Sequence, residues 1–574
     1  WLGGRAEPPD AARMTGADYD GVQCDLCHRR ADPHFEATNR GLGESADWVG
    51  YWDESGRSGT PSAAAAAFTL GEDRTAAVTL RLFNGSAQYQ VNGWPTQQTW
   101  IEATNGQMFV TGNDRKRGPF ADANARHEMR YSRFHKSRAM CATCHDVSNP
   151  LLANLERFAA RPGDGSEPLP TEVAPAAAWF HLERTHSEFM LSAFGAPGGA
   201  FGEGPYAPDR FPTSRPENRI ATCQDCHMAD ADGPGAGQNN AVDRPSGSAE
   251  HPKSGQPMHD LTGGNLWIPA VLASTQPGSP NHDPEVAGLL SQGAAVLTLA
   301  LDQGTGLNPT ALLAGVERAR AQLLQAARID ELIYDAATGR LSFRVVNQTG
   351  HKLPTGFSEG RRMFVTVQGW QGDHLAVVIN PYDPVVGTLK GLHHPDSPPL
   401  GVGERYQPYL VYEVASGSLL TGEDETFHLA LATHRTKDNR IPPRGFRIAE
   451  AAVRQSEPVF AGQARPDLFT AAEYAGGYDQ VVQHLPPGLT RVRVTVSYQT
   501  TSREYVAFLR DELNGQGTTL PSPGPTGLAV AYRAPLDAAF DAQRAWGDVI
   551  WRVWARTKDW PGAAPVPLTE ASWP

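Results

Sequence analysis

The sequence predicts an α+β chain: a loop- and helix-rich first half, then an antiparallel β-sandwich, then a C-terminal helix. Three observations predict it. Glycine (58) and proline (46) exceed average usage, so turns and long irregular connections should be common. The apolar residues change period at residue 329, from helical spacing before it to alternation after it. Near the end, residues 536–556 return to helical spacing and carry Phe540, Trp546, Trp551 and Trp554.

At 574 residues the chain can hold two or three domains. The expected boundaries are 1–328, with a surface loop at 229–257 and a connecting helix at 308–328; 329–520 for the sandwich; and 521–574 for a helical tail docked on the body. Within the first domain, residues 68–91 look extended around Asn84-Gly85, which reads as a hairpin. The stretch 229–257 is rich in Gly, Pro, Ser, Asn and Asp and reads as loop. Its Asp230-x-Asp232-Gly233 has a faint calcium-loop look but lacks the downstream Glu, so a solvated loop is expected.

The connecting helix starts at Asn308, a natural cap, with Pro309 at the first helical position. Leu312, Leu313, Val316, Leu323 and Leu324 then give one apolar face. Strands follow where Leu341, Phe343 and Val345 alternate with polar neighbours, and where Val492, Val494, Val496 and Tyr498 do. Met363, Val365 and Val367 alternate less cleanly because Phe364 is apolar too. With 410–414 and 427–431 these make five or more antiparallel strands, enough for a sandwich. The tail aromatics are expected to dock on the body.

All six cysteines fall in three copies of Cys-x-x-Cys-His: Cys24-Asp25-Leu26-Cys27-His28, Cys141-Ala142-Thr143-Cys144-His145 and Cys223-Gln224-Asp225-Cys226-His227. This is the attachment sequence for c-type haem, in which two thioethers hold the porphyrin and the adjacent His is aimed at the iron. Structural zinc would need Cys pairs meeting in a tetrahedron, and nothing in zinc chemistry calls for a His after each second Cys. Redox dithiols announce themselves once, near a βαβ pattern, and disulfides need no His. Three covalently attached haems (haem c, iron) are therefore expected.

Covalent haem is attached after export in bacteria, so the compartment expected is periplasm, outer-membrane surface or exterior. Trp1 in first place and no visible signal peptide suggest a mature or trimmed chain. Hydrophobic content of 40% describes a globular protein, and no apolar run is long enough for a transmembrane segment. The net charge of −13 argues against nucleic acid and for partners with basic patches.

Six-coordinate irons would need up to three further ligands. Eighteen histidines less the three in the motifs leave fifteen candidates. His351 is the strongest, because Gly350, Pro354 and Gly356 fix an unusual backbone path around it. His259 follows the loop directly in Met258-His259-Asp260. His127 and His135 precede the second motif. If 131–145 were one helix, His135 and His145 would lie about 15 Å apart along its axis, so His135 could serve only a neighbouring haem.

Four segments carry a resemblance: Cys141 to Pro150, Gly350-His-Lys-Leu-Pro-Thr-Gly356 with Glu359-Gly-Arg-Arg362, Asp438 to Phe446, and Tyr498 to Tyr505. Together they resemble a large group of exported bacterial multihaem cytochromes c, over about residues 115–510. The resemblance implies a haem-binding half followed by a β-domain, electron transfer as function, and haem ligation by His351 and by His259 of the His259–Asn265 segment. Relatives often carry Tyr-x-Glu-Trp after the second motif. His186-Ser187-Glu188-Phe189 stands there instead, leaving His186 as an extra ligand or an ordinary substitution.

The function expected is electron carriage between redox partners, such as other cytochromes, through closely spaced bis-His haems. A haem reductase of a small oxyanion or nitrogen compound is the alternative, with one open iron and Lys352, Arg361 and Arg362 nearby. A third is a structural subunit of a haem-lined surface complex or filament, a homo-oligomer or polymer. The sequence leans to a carrier over a catalyst.

Overall fold

The structure is a computed structural model and describes residues 24–32, 63–77, 110, 115–120, 128–153, 179–213, 215–234, 243–244, 256–291, 307–357, 359–419, 422–429, 432–516 and 544–574. The first half is built from short pieces. Helix α1 (Cys24–His28) precedes α2 (Ala63–Ala77), and a short parallel pair joins β1 (Lys116–Gly118) to β2 (Met129–Tyr131). Then come α3 (Arg138–Ala142), the antiparallel pair β3 (Val147–Ala153) and β4 (Trp179–Glu183), α4 (Thr185–Leu191) and α5 (Gln224–His227). Residues 68–77, expected to open a hairpin, belong to α2. Five consecutive alanines at its start favour helix over strand. The rest of that expected hairpin, 78–91, lies outside the described residues.

The loop at 229–257 is tied at its base. Asp230–Ala231 pairs with Gln256–Pro257, and Gly233–Pro234 pairs with Asp243–Arg244. Two helices follow, α6 (Trp267–Ser274) and α7 (Pro284–Leu290), then α8 (Pro309–Leu323). Asn308 caps α8, its side chain accepting from the Ala311 N–H at 3.1 Å. The buried face is Val316, Ala319 and Leu323, while Leu324 is 48% exposed. The helix ends sooner than expected, because Ala327 already pairs with Asn347 as a strand.

The second half holds three main sheets. Strands β5 (Ala327–Asp335), β6 (Arg340–Asn347) and β12 (Tyr478–His484) form one antiparallel sheet with β6 central. A larger sheet runs β8 (His374–Ile379), β7 (Arg362–Gln371), β13 (Arg491–Gln499) and β14 (Val566–Trp573). The third has β9 (Val414–Ser418) between β10 (Glu423–Thr426) and β11 (His434–Asp438). Period-2 patterning explains the first two. Leu341, Phe343 and Val345 of β6, Met363, Val365 and Val367 of β7, and Val492, Val494 and Val496 of β13 are wholly buried in one shared cluster. Phe364 breaks the alternation because β7 is buried on both faces there: it packs with Leu389 and Val411 in a separate cluster.

Two expected features differ. Residues 427–429 are not strand; the strand is β10 just before them, and Phe427 instead packs its ring on Tyr505 and Phe508. The tail is more than helix. Helix α10 (Arg544–Thr557), which follows α9 (Arg503–Asp511), buries Val549, Val553 and Trp554 against Trp267, Val271 and Val506. The chain then returns as β14, hydrogen-bonded to β13, so a boundary at 520 cuts through the larger sheet. Leu266 just before α6, Ala270 within it, and Val316 and Leu323 of α8 belong to the same core as the strands, which ties the two halves together. Among the described residues no helix is long and apolar enough to cross a membrane.

Candidate haem-binding sites

Each Cys-x-x-Cys-His lies on a helical turn. In the second and third motifs the His N–H donates to the carbonyl of the first Cys at 2.9 Å. That turn brings residues three apart onto one face, which is what two thioethers to one porphyrin require. No disulfide joins the six cysteines. Among the described residues no group of three or more His, Cys, Asp or Glu converges as a metal cage, so the cysteine pairs do not meet in a zinc-type tetrahedron.

The three motif imidazoles are anchored alike. Nδ1 of His28 lies 2.6 Å from the Arg117 carbonyl, Nδ1 of His227 lies 2.6 Å from the Thr262 carbonyl, and Nδ1 of His145 lies 2.7 Å from Glu183 Oε1. Each oxygen can only accept, so each Nδ1 carries the proton and, in the neutral ring, Nε2 keeps its lone pair. Hydrogen bonds of this kind orient metal-binding histidines and make them better donors. The Glu183 hydrogen bond raises the His145 pKa to about 8. Burial lowers that of His227.

Two of the three motif histidines face another imidazole. The rings of His227 and His351 stand 6.3 Å apart at 21°. His28 faces His135 at 5.8 Å and 11°, and His259 at 6.0 Å and 37°. Metal–imidazole bonds are about 2 Å, so two rings on opposite sides of one metal have centroids roughly 6 Å apart. The spacing therefore fits a metal-centred ring between them.

His351 is held by the turn that the sequence singled out. Its Nδ1 lies 3.0 Å from the Lys352 carbonyl, so this ring too keeps Nε2 open. Asn347 donates through Nδ2 to the carbonyls of His351 and Ile441, at 2.7 and 3.0 Å. Gly350 passes so close to Phe189 that a Cβ would stand 2.9 Å from the ring. Burial lowers the His351 pKa to about 4, so the ring is neutral at pH 7.

The geometry separates His259 from His135. His259 places Nδ1 3.0 Å from the Pro257 carbonyl, the same anchoring as the motif histidines. His135 instead turns Nε2 to the Cys27 carbonyl at 2.9 Å, and its Nδ1 is buried without a hydrogen bond. Burial lowers the His135 pKa to about 3. The single helix considered for 131–145 is two: a 3₁₀ turn at Arg133–Lys136 and α3, separated by extended Ser137. His135 thereby reaches the first motif, not its own. His127 lies outside the described residues.

The second and third motifs open onto one cavity of about 310 Å³, lined among others by Cys141, His145, His186, Cys223, His227 and His351. His186 is buried, with Nδ1 3.5 Å from Asp146 Oδ2, and Ser187 hydrogen-bonds the same carboxylate through N–H and hydroxyl. No described imidazole stacks over His145.

Sequence reasoning missed the anchors Arg117, Glu183 and Thr262, and a buried charge cluster behind the His351 turn. Asp438, fully buried, pairs with Lys352 Nζ at 2.9 Å and with Arg440 Nε at 2.8 Å. Arg440 also pairs with Glu188 of α4 at 2.7 Å. Burial pulls the Asp438 pKa upward, but Arg440 and Lys352 overcome it and hold the carboxyl far below the usual range. The arginines expected beside His351 divide: Arg361 lines the cavity and donates to the Thr355 carbonyl, whereas Arg362 is buried against Gln499 and Glu504.

No family model matches the chain, and no curated protein does. Among solved structures, a penta-heme cytochrome c552 from Thermochromatium tepidum is similar at a TM-score of 0.36 and 12% identity, over 90% of this chain and 78% of that one. That overlap is too loose to establish a shared fold.

Proposed function

We propose that this chain is an exported triheme c-type cytochrome that carries electrons between redox partners, with a β-sandwich domain supplying one axial ligand. One observation carries the reading. All three Cys-x-x-Cys-His histidines are anchored through Nδ1 with Nε2 presented, and two of them face a second imidazole at the spacing a shared iron demands. Haem held by Cys24, Cys27 and His28, by Cys141, Cys144 and His145, and by Cys223, Cys226 and His227 would supply one-electron redox chemistry. His351 is the partner for His227, and His259 for His28. The chain's own work is to fix the tautomers of these rings through Arg117, Glu183, Thr262, Pro257 and Lys352. The test is carbon monoxide added to the reduced protein. No spectral change at any of the haems supports the carrier. Binding at all three overturns it.

A second reading has its own observation. The His145 ring has no described imidazole over it, and its cavity also receives His186, Thr185 and Arg361. A reductase of a small nitrogen compound or oxyanion would use such an open position. Carbon monoxide bound at the second motif alone would favour it.

A further inference from the structure

Behind the His351 turn lies a carboxylate that no ligand motif would reveal. Glu188 is the fourth residue of α4 and has no exposed surface. Its Oε2 accepts from the Lys352 N–H at 3.2 Å and from the Thr355 hydroxyl at 2.6 Å, on both sides of Leu353-Pro354. Its Oε1 pairs with Arg440 at 2.7 Å, and Arg440 donates to the Pro354 carbonyl at 3.2 Å. The same helix is fastened to the second motif. The His186 N–H donates to the His145 carbonyl at 2.8 Å, and Ser187 binds Asp146. Helix α4 therefore joins the His145 turn to the turn that presents His351.

We propose that Glu188 is a positioning residue for His351, and that its buried charge, balanced against Arg440, sets the reduction potential of the haem shared by His227 and His351. This rests on the haem reading above. The physical reason is the surroundings. Glu188, Asp438, Lys352, Arg435 and Arg440 are each at most 5% exposed, so water screens their charges poorly. Glu457 pairs with Arg435, and the buried Arg184 adds a further positive charge that acts on both Arg435 and Glu188. A negative charge one residue from an axial ligand stabilises the oxidised, more positive centre, and an unbalanced arginine does the reverse.

The experiment is a spectroelectrochemical titration of the full-length holoprotein, with haem count checked by denaturing mass spectrometry in every sample. Glu188→Gln, which keeps shape and loses charge, should raise one midpoint potential of the three and leave two unchanged. Arg440→Gln should lower that same midpoint. Thr355→Val deletes one donor to Glu188 and no charge; it should lower the midpoint by less than Arg440→Gln, and it keeps the question answerable if both charge variants fail to fold. Unchanged midpoints, or shifts of one sign in Glu188→Gln and Arg440→Gln, overturn the proposal. A wild-type chain without three haems instead overturns the functional reading on which it stands.

Discussion

Replacing Asp438 by Asn removes one charge from the buried ion cluster behind the His351 turn. The carboxylate has no exposed surface and binds Arg440 through both oxygens, at 2.8 and 2.9 Å, with Lys352 Nζ at 2.9 Å and Arg435 at 3.3 Å. Asparagine keeps one accepting oxygen but leaves three cations facing Glu188 and Glu457 alone. Breaking a buried pair by removing one partner costs about 3–5 kcal/mol. Domains are stable by only about 5–15 kcal/mol, so the loss should be conspicuous. Urea unfolding followed by tryptophan fluorescence measures it. The pH dependence has a definite sign. Because the folded Asp438 pKa is depressed, its contribution is complete above the unfolded value of about 3.9 and is lost progressively as pH falls below it. The wild type should therefore lose more stability between about pH 4 and pH 2 than Asp438→Asn does. A loss under about 1 kcal/mol at pH 7, the level of a surface pair, would refute the reasoning.

Further expectations concern ligands and packing. His351→Ala and His259→Ala should each convert one haem from six-coordinate to carbon monoxide-binding, whereas His135→Ala should leave every haem as in the wild type; conversion by His135→Ala and silence of His259→Ala would reverse the assignment at the first motif. Trp554→Ala empties a site that is 2% exposed between α10 and α6 and should cost about 3–5 kcal/mol, read as a lowered urea midpoint. Gly350→Ala should destabilise by about 1–3 kcal/mol, because its Cβ would press on the Phe189 ring; an unchanged urea midpoint would show that the ring yields freely.

Much of this was written in contiguous residues. The three Cys-x-x-Cys-His segments are legible because their cysteines and histidine come from one helical turn. Leu341, Phe343 and Val345 are legible because strand alternation is local. Asn308 with Pro309 announces α8 for the same reason. Several of the failures share a cause, which is dependence on distant partners. Phe364 disturbs the pattern of β7 only because Leu389 and Val411 arrive to cover it. Strand β14 hid behind Pro567, a residue that demotes a strand, yet as an edge strand it tolerates the missing N–H. The carbonyls of Arg117 and Thr262 carry no sequence signal as imidazole anchors, since any residue has a carbonyl. Glu188 carries no local signal of its own, because its partners Lys352, Thr355 and Arg440 are all distant in sequence.

The most direct test of the central claim is mass spectrometry of the full chain under denaturing conditions, after expression in a host able to mature c-type cytochromes. Thioether bonds survive unfolding, so the account predicts the mass of the polypeptide plus three haems, and the loss of one haem when both Cys223 and Cys226 are replaced by Ala. A bare polypeptide, or one whose only metal is zinc, would contradict it.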